Sequence, residues 1–217
     1  MAQKTAAERS PPEAKNGTAR LAGYRALAGS ADEMIDPQGR VRPVWQPFVS
    51  AIETMDEQEL DERFARADRY LRDAGVFYRA YGTGGSSERA WPFSHIPVLI
   101  SEAEWQVLAD GLVQRADLLE SIVADIYSEN RLVQEGFLPP QLVAANPEFL
   151  RPLVGIKPAG GHYLHFCSFE IGRGPDGNWW VLADRTQAPS GAGFALENRV
   201  ATARAFSDLY AEKHVHR

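Results

Sequence analysis

A single long amphipathic helix constrains the fold of this chain more than any other sequence feature. Ser101 followed by Glu104 has the spacing of a capping box, in which each side chain satisfies a backbone N–H at the start of a helix. Apolar side chains then recur at helical intervals as far as Ile126. The pattern predicts a helix from about residue 102 to residue 128, the longest element of the chain.

Shorter elements are predicted before this helix. Asp56 with Glu59 repeats the capping spacing, and the apolar periodicity that follows predicts a helix ending at Gly75. Val76 to Tyr78 has the composition of a short strand. Residues 81–92 are rich in Gly and Ser and are predicted to form a loop.

After the long helix the pattern changes to strands. The runs 163–171 and 178–183 are rich in β-formers, and Gly172-Arg-Gly-Pro-Asp-Gly177 between them predicts a hairpin. Helical spacing returns from Arg199 to Glu212. Helices together with an antiparallel hairpin predict an α+β fold.

Composition excludes several classes of protein. The 217 residues carry a net charge of −6, which gives no whole-chain preference for nucleic acid or an anionic membrane. The one cysteine, Cys167, excludes an internal disulfide and a cysteine-only metal cluster. No apolar run reaches the roughly 18 residues of a membrane span, so a cytoplasmic location is expected. Residues 1–22 have almost no large apolar side chains and are predicted to be a disordered tail ahead of one folded region, 23–217.

The densest group of chemically useful side chains lies between Asp184 and Arg199. Asp184 and Arg185 directly follow a run predicted to be an apolar strand. The small residues Ser190 to Gly193 come next, and Glu197, Asn198 and Arg199 end the segment. Magnesium prefers oxygen ligands. Phosphates are bound by cationic side chains and by backbone N–H groups that can approach them closely. The segment therefore fits a metal–phosphate site, although Asp184 as a turn cap and Glu197 as a helix N-terminal acid remain open.

Other catalytic sites fit this sequence less well. Gly191 and Gly193 half-match a dinucleotide fingerprint, but Leu196 is too bulky for its third small position. Ser190 lacks the Gly-x-Ser-x-Gly elbow of hydrolases. His162 and His165 would point to opposite faces of a strand and could not easily share one metal ion.

The sequence of residues 184–199 resembles the circularly permuted type 2 ATP-grasp family. It reads Asp-Arg-Thr-Gln-Ala-Pro-Ser-Gly-Ala-Gly-Phe-Ala-Leu-Glu-Asn-Arg. The resemblance covers about residues 25–215 and includes further segments in order: Asp32-Glu-Met-Ile-Asp36, Trp91-Pro92, Pro97-Val98-Leu99-Ile100, Gly111-Leu-Val-Gln-Arg115, Gly136-Phe-Leu-Pro-Pro140 and Gly160-Gly-His-Tyr-Leu-His165.

The resemblance implies a fold, a chemistry and a set of site residues. It implies the N-terminal portion of a permuted ATP-grasp fold, with helices packed on a mixed or antiparallel sheet. It implies Asp184, Glu197 and Asn198 as magnesium ligands and Arg185 and Arg199 as catalytic cations, with Ser190, Gly191 and Gly193 beside the nucleotide. Glu197 and Asn198 are adjacent here, whereas related ligases separate them by one residue; in a strand they would therefore point in opposite directions.

The implied activity is that of an ATP- and Mg²⁺-dependent ligase that joins a carboxylate to an amine through an acyl phosphate. The relatives that carry it are several hundred residues long, so the resemblance implies that this chain is an N-terminal fragment, inactive alone. The expected partners are small-molecule or peptide carboxylate and amine substrates and a separately encoded C-terminal half, without nucleic acid or membrane. The alternative is a non-catalytic binding or scaffold module, or a remnant, derived from the same fold.

Overall fold

A computed structural model describes residues 21–82 and 85–212 of the chain. These residues form two compact units, the first from residues up to Leu99 together with those from Val200, the second from Ile100 to Arg199. The predicted tail over residues 1–22 falls almost wholly outside the described residues, as do His214 and His216.

The described residues contain seven α-helices, four strands and a short 3-10 helix. In chain order these are α1 (Gln46–Thr54), α2 (Glu57–Asp73), β1 (Phe77–Gly82), β2 (Gly85–Ala90), α3 (Glu102–Ile126), α4 (Arg131–Gln134), α5 (Pro140–Ala144), the 3-10 helix (Arg151–Leu153), β3 (Ser168–Arg173), β4 (Trp179–Arg185), α6 (Ala192–Ala205) and α7 (Ser207–Glu212).

The core of the first unit lies among α1, α2, the end of α6 and α7. Ala67 on α2 and Ala201 and Ala205 on α6 are fully buried in one apolar cluster with Phe206. Side chains this small let two helix backbones approach closely, because only a methyl group stands between them. The Arg63 guanidinium joins α2 to α7 by donating to the Asp208 carboxylate at 2.7 and 2.9 Å.

The helix predicted after Asp56 is confirmed. α2 begins at Glu57, and the Asp56 carboxylate accepts from the Glu59 backbone N–H at 2.7 Å. Gly75 follows the helix with a φ of +75°, a left-handed conformation that a residue without Cβ adopts at little cost.

The loop prediction over residues 81–92 is wrong over most of its length. β1 continues to Gly82, and β2 at Gly85–Ala90 pairs with it antiparallel, with Phe77 opposite Ala90. The Gly and Ser content suggested irregular structure, but a strand needs only backbone partners, which β1 provides.

The second unit is built around α3, whose predicted range is confirmed. The Ser101 side chain accepts from the Glu104 backbone N–H at the start of the helix. Leu108 is its one buried residue, and Val107 is 75% exposed. The Glu120 carboxylate accepts from the backbone N–H groups of Tyr163 and Leu164 at 2.9 and 2.8 Å. This side chain holds the segment before β3 against the helix.

The hairpin is confirmed, with a shorter first strand than predicted. β3 begins at Ser168 rather than at residue 163, and it pairs antiparallel with β4. His162 and His165 therefore lie before the strand, so the argument that a strand separates them does not apply. Cys167 also lies just before β3, as a half-buried free thiol.

The helix predicted from Arg199 begins seven residues earlier, at Ala192. The small-residue segment is therefore loop only as far as Gly191, and Gly193 lies in the first turn of α6. α6 crosses the boundary between the two units. Its residues up to Arg199 belong to the second unit, and those from Val200 belong to the first.

The α+β class is confirmed, and the sheets are small and antiparallel. Within residues 21–82 and 85–212 the strands form two separate two-stranded antiparallel sheets, so the mixed-sheet option is not observed there. In the same ranges, no helix has the length and apolar character needed to cross a membrane.

Candidate functional site

The end of β4 carries the first two predicted site residues. Along this strand the exposed side chains alternate with more covered ones, and Asp184 follows Trp180 and Leu182 on the exposed face. Arg185 is the last residue of the strand. The apolar hairpin thus presents a carboxylate and a guanidinium side by side where the chain turns into the small-residue loop.

Asp184 is held by an arginine from α3. Arg115 donates from Nε to Oδ1 at 2.6 Å and from Nη2 to Oδ2 at 2.7 Å, which is the bidentate geometry of strong arginine–carboxylate pairs. The hydrogen bonds from Arg115 hold the pKa of Asp184 below its usual value, against a smaller opposing effect of desolvation. The carboxylate is therefore fully ionised at neutral pH.

Arg185 pairs with the neighbouring strand. Its guanidinium donates from both Nε and Nη2 to Glu170 Oε1 on β3, with the Nε contact at 2.8 Å. The Arg185 side chain remains 62% exposed, so its charge is accessible to a ligand. Breaking so exposed an ion pair costs little, about 0–1 kcal/mol.

The loop between β4 and α6 is fixed at two points. Gln187 donates from Nε2 to Glu148 Oε2 at 2.8 Å, which ties the loop to the segment after α5. Gly191 has a φ of +105°, a region that side chains disfavour, so glycine is required there by the backbone itself. Neither Gly191 nor Gly193 has any atom within 4 Å of the position that a Cβ would take, and Ser190 between Pro189 and Gly191 is exposed.

Glu197, Asn198 and Arg199 lie on α6, which changes the geometry expected for them. In a helix, consecutive side chains are about 100° apart rather than on opposite faces. Glu197 and Asn198 therefore do not point in opposite directions, as they would in the strand expected from the sequence. Each of the three residues already interacts with other residues of the chain.

The donor chemistry of the predicted metal ligands fits magnesium, since Asp184, Glu197 and Asn198 all offer oxygen atoms. Among residues 21–82 and 85–212, no three His, Cys, Asp or Glu side chains gather as a metal cluster. Magnesium does not need one, because it keeps several waters and is commonly held by one or two carboxylates together with substrate phosphates.

The sequence did not indicate that two residues of α3 hold the hairpin. Besides Arg115, Glu104 accepts from Arg173 Nη1 at 2.7 Å and from the indole N–H of Trp179 at 3.1 Å. Eleven residues separate Glu104 from Arg115, a helical rise of about 16 Å, and the five residues from Trp179 to Asp184 span about the same length of strand. This match of lengths allows the two residues of α3 to hold both ends of β4, but no signal in the sequence shows that α3 and β4 pack together.

The second unit also has an apolar cavity of about 290 Å³ between α3, α5 and the segment after α5. Ile122, Leu142 and Phe149 contribute to its wall, and so does Glu148, the partner of Gln187. The loop of the candidate site is therefore anchored at the edge of this cavity.

Comparison with known proteins identifies relatives of the chain. The family model described as circularly permuted ATP-grasp type 2 matches residues 97–217, more than half of the sequence. An uncharacterised protein of Mycobacterium tuberculosis is 36% identical over 189 residues, which cover 83% of this chain and 21% of that protein. An uncharacterised protein of Synechocystis is 34% identical over 179 residues, covering 82% of this chain and 37% of that one. An uncharacterised protein of Mycobacterium leprae is 34% identical over 184 residues, which cover 85% of this chain and 32% of that protein. The chain thus spans a fifth to just over a third of the length of these relatives.

Proposed function

The chain belongs to the circularly permuted ATP-grasp type 2 family, and we propose on that premise that it forms part of an ATP-dependent carboxylate–amine ligase. The observation that carries the proposal is the position of the polar cluster. The family match includes all of Asp184 to Arg199, and this segment presents an ionised carboxylate and an exposed guanidinium at a strand end beside an open glycine loop. ATP-grasp ligases act on small molecules, so the substrates proposed here are a small carboxylate and an amine.

In this proposal Asp184 and Glu197 hold magnesium, with Asn198 as a further oxygen donor. Bound magnesium would neutralise phosphate charge and orient the nucleotide. Arg185 and Arg199 supply additional positive charge for the transferring phosphoryl group, which in such reactions is stabilised mainly by electrostatics and positioning. The backbone can approach the nucleotide phosphates closely at Ser190, Gly191 and Gly193, because these residues have a small side chain or none.

Arg115 gains a role through its pair with Asp184. Both oxygens of Asp184 accept from Arg115, and a divalent cation beside a guanidinium is repelled by it. We therefore propose that Arg115 releases at least one Asp184 oxygen when metal binds and turns its free N–H groups toward phosphate. The Arg115 side chain is 43% exposed, so it has room to reorient.

We further propose that residues 1–217 alone bind nucleotide without turning it over. The support is that the longer relatives have most of their length outside the region they share with this chain. The 217-residue chain should release no ADP from Mg-ATP, with or without added amines and carboxylates, in a coupled assay. Sustained ADP release that the Asp184→Asn, Glu197→Gln double variant abolishes would contradict this.

A second candidate function is a non-catalytic binding or scaffold module of the same family. The closed Asp184–Arg115 pair favours it, because a carboxylate with both oxygens occupied needs no metal. The two functions make opposite predictions about magnesium.

The experiment that separates them is calorimetric titration of Mg-ATP into the chain and into the Asp184→Asn, Glu197→Gln double variant. The ligase proposal predicts at least about a tenfold loss of affinity, because both charged metal ligands are replaced by neutral groups of similar shape. A matched control, Asp176→Asn with Glu129→Gln, removes the same charge from the second unit outside the site. Unchanged affinity in the double variant would favour the scaffold module.

A further inference from the structure

A groove in the first unit lies between α2 and the α6–α7 junction, with a volume of about 540 Å³. Three of the side chains that line it are arginines, so we call it the arginine groove. Its lining consists of Arg66, Arg69, Tyr70, Asp73, Ala203, Arg204 and Ser207. None of the residues predicted to bind ATP or magnesium is among them.

The groove follows from how α2 and α6 pack. Ala67, Ala201 and Ala205 are fully buried in the apolar cluster that α2 and α6 share, and the groove arginines flank them in sequence: Arg66 precedes Ala67, and Arg204 precedes Ala205. Arg63 fixes the same contact by donating to the Asp208 carboxylate and to the Ala205 carbonyl. The positions of the groove arginines are thus set by a buried interface, even though their own side chains are exposed.

The charges in the groove are unbalanced. Arg63, on the same helix, has two carboxylate partners, Glu59 and Asp208. Within the part of the chain that the structure describes, Arg66, Arg69 and Arg204 form no ion pair with a carboxylate. Asp73 is the one acid in the lining, so three positive charges face one negative charge.

One of these arginines is held in place by an aromatic ring. The Arg204 guanidinium carbon lies 4.2 Å from the centroid of the Tyr70 ring, a cation–π contact between α6 and α2. Stacking uses the face of the guanidinium and leaves its N–H groups at the edge free to donate. The loss of side-chain entropy on binding a ligand is smaller for an arginine already restrained in this way.

We propose that the arginine groove binds a small molecule carrying two or more phosphate groups. Guanidinium groups match phosphate oxygens in bidentate geometry, and three of them from two helices suit a di- or triphosphate better than a single phosphate. The volume lies within the usual range of small-molecule sites, about 300–1,000 Å³. The Ser207 hydroxyl adds a neutral donor, and the three arginines outweigh the single negative charge of Asp73.

The test is calorimetric titration of inorganic pyrophosphate, without magnesium and at constant ionic strength, into the 217-residue chain. One saturable site is expected. Arg69→Gln and Arg204→Gln should each weaken binding at least about tenfold, since each removes a charged donor. Arg72→Gln is the matched control: it removes the same charge from the same helix outside the groove and should change affinity less than about twofold. Inorganic phosphate should bind much more weakly than pyrophosphate.

Each of several results would overturn the proposal. Equal effects of Arg72→Gln and Arg69→Gln would show diffuse electrostatic attraction without a site. Citrate binding as tightly as pyrophosphate would show that the groove does not select phosphate, and the absence of saturable binding would show that it is an ordinary solvated surface. The Arg185→Gln, Arg199→Gln variant, which lacks the two cations of the proposed ATP site, should bind pyrophosphate normally. A loss there would assign binding to the proposed ATP site, so the two proposals fail separately.

Discussion

At the scale of single residues, the sequence predicts Asp184 as a candidate metal ligand but does not indicate its partner, Arg115. An acid after an apolar strand and before a glycine loop is a local pattern. Arg115 lies 69 positions away on another element, and only the packing of α3 along β4 brings them together. The same holds for Glu120, whose two contacts with backbone N–H groups depend on a loop that no periodicity describes.

The Arg115→Gln variant tests the pair directly. Removing the guanidinium should raise the pKa of Asp184 toward the usual aspartate value of about 3.9, because Arg115 is the main cause of its lowering. A carboxyl with a lowered pKa in the folded state stabilises the fold above its unfolded pKa. That contribution disappears as the pH falls through the folded pKa. The stability curves of variant and wild type should therefore converge in acid.

The measurement is a carbon-13 NMR titration of the Asp184 carboxyl, together with urea unfolding from pH 7 to pH 2. Arg131→Gln is the control, because Arg131 pairs with Glu129 and has no contact with Asp184. An Asp184 pKa that does not move in Arg115→Gln would show that the pair does not persist in solution.

At the scale of elements, predictions succeeded where local signals dominate. Both capped helices begin where the Asp56 and Ser101 caps indicate, and the Gly-rich connection of the β3–β4 hairpin was recognised. The secondary-structure predictions failed where tertiary contacts override local composition. Pro189-Ser-Gly-Ala-Gly193 has the composition of a loop, yet α6 already begins at Ala192. Anchoring of this helix by the buried Ala201 and Ala205 at its other end extends helical structure back through a glycine.

The start of α6 gives a prediction that separates stability from ligand binding. Gly193 has no neighbour within 4 Å of a Cβ position and no positive φ, so Gly193→Ala should leave stability unchanged or raise it by up to about 1 kcal/mol. If nucleotide phosphates approach this backbone closely, the added methyl group should nevertheless weaken Mg-ATP binding.

Thermal unfolding and Mg-ATP calorimetry on the same protein sample check both parts. Gly23→Ala is the control, since Gly23 also has open space around its Cβ position and lies far from residue 193 in sequence. Full Mg-ATP affinity in a stable Gly193→Ala variant would remove Gly193 from the nucleotide site.

At the scale of the whole molecule, family membership could be inferred from the sequence of residues 184–199. The contacts group the described residues into two units, with α6 contributing to both, and the sequence did not indicate this grouping. Such a grouping depends on which helices share a core, and the first unit is completed only by residues from Val200 onward. Sequence patterns indicate elements but not which of them pack together across more than a hundred residues. That residues 23–217 form one ATP-grasp domain stays a prediction.

The central claim is that Asp184 to Arg199 forms the magnesium–nucleotide site of the chain. The most direct measurement is an amide NMR spectrum with ATP and Mn²⁺, a paramagnetic substitute for magnesium, against a Mg-ATP reference. The account predicts that broadening by Mn-ATP is strongest at the amides around Asp184 and Glu197 and is lost in the Asp184→Asn, Glu197→Gln variant. Saturating Mn-ATP that leaves these amides sharp, or that broadens only those around Arg66 and Arg69, would contradict it.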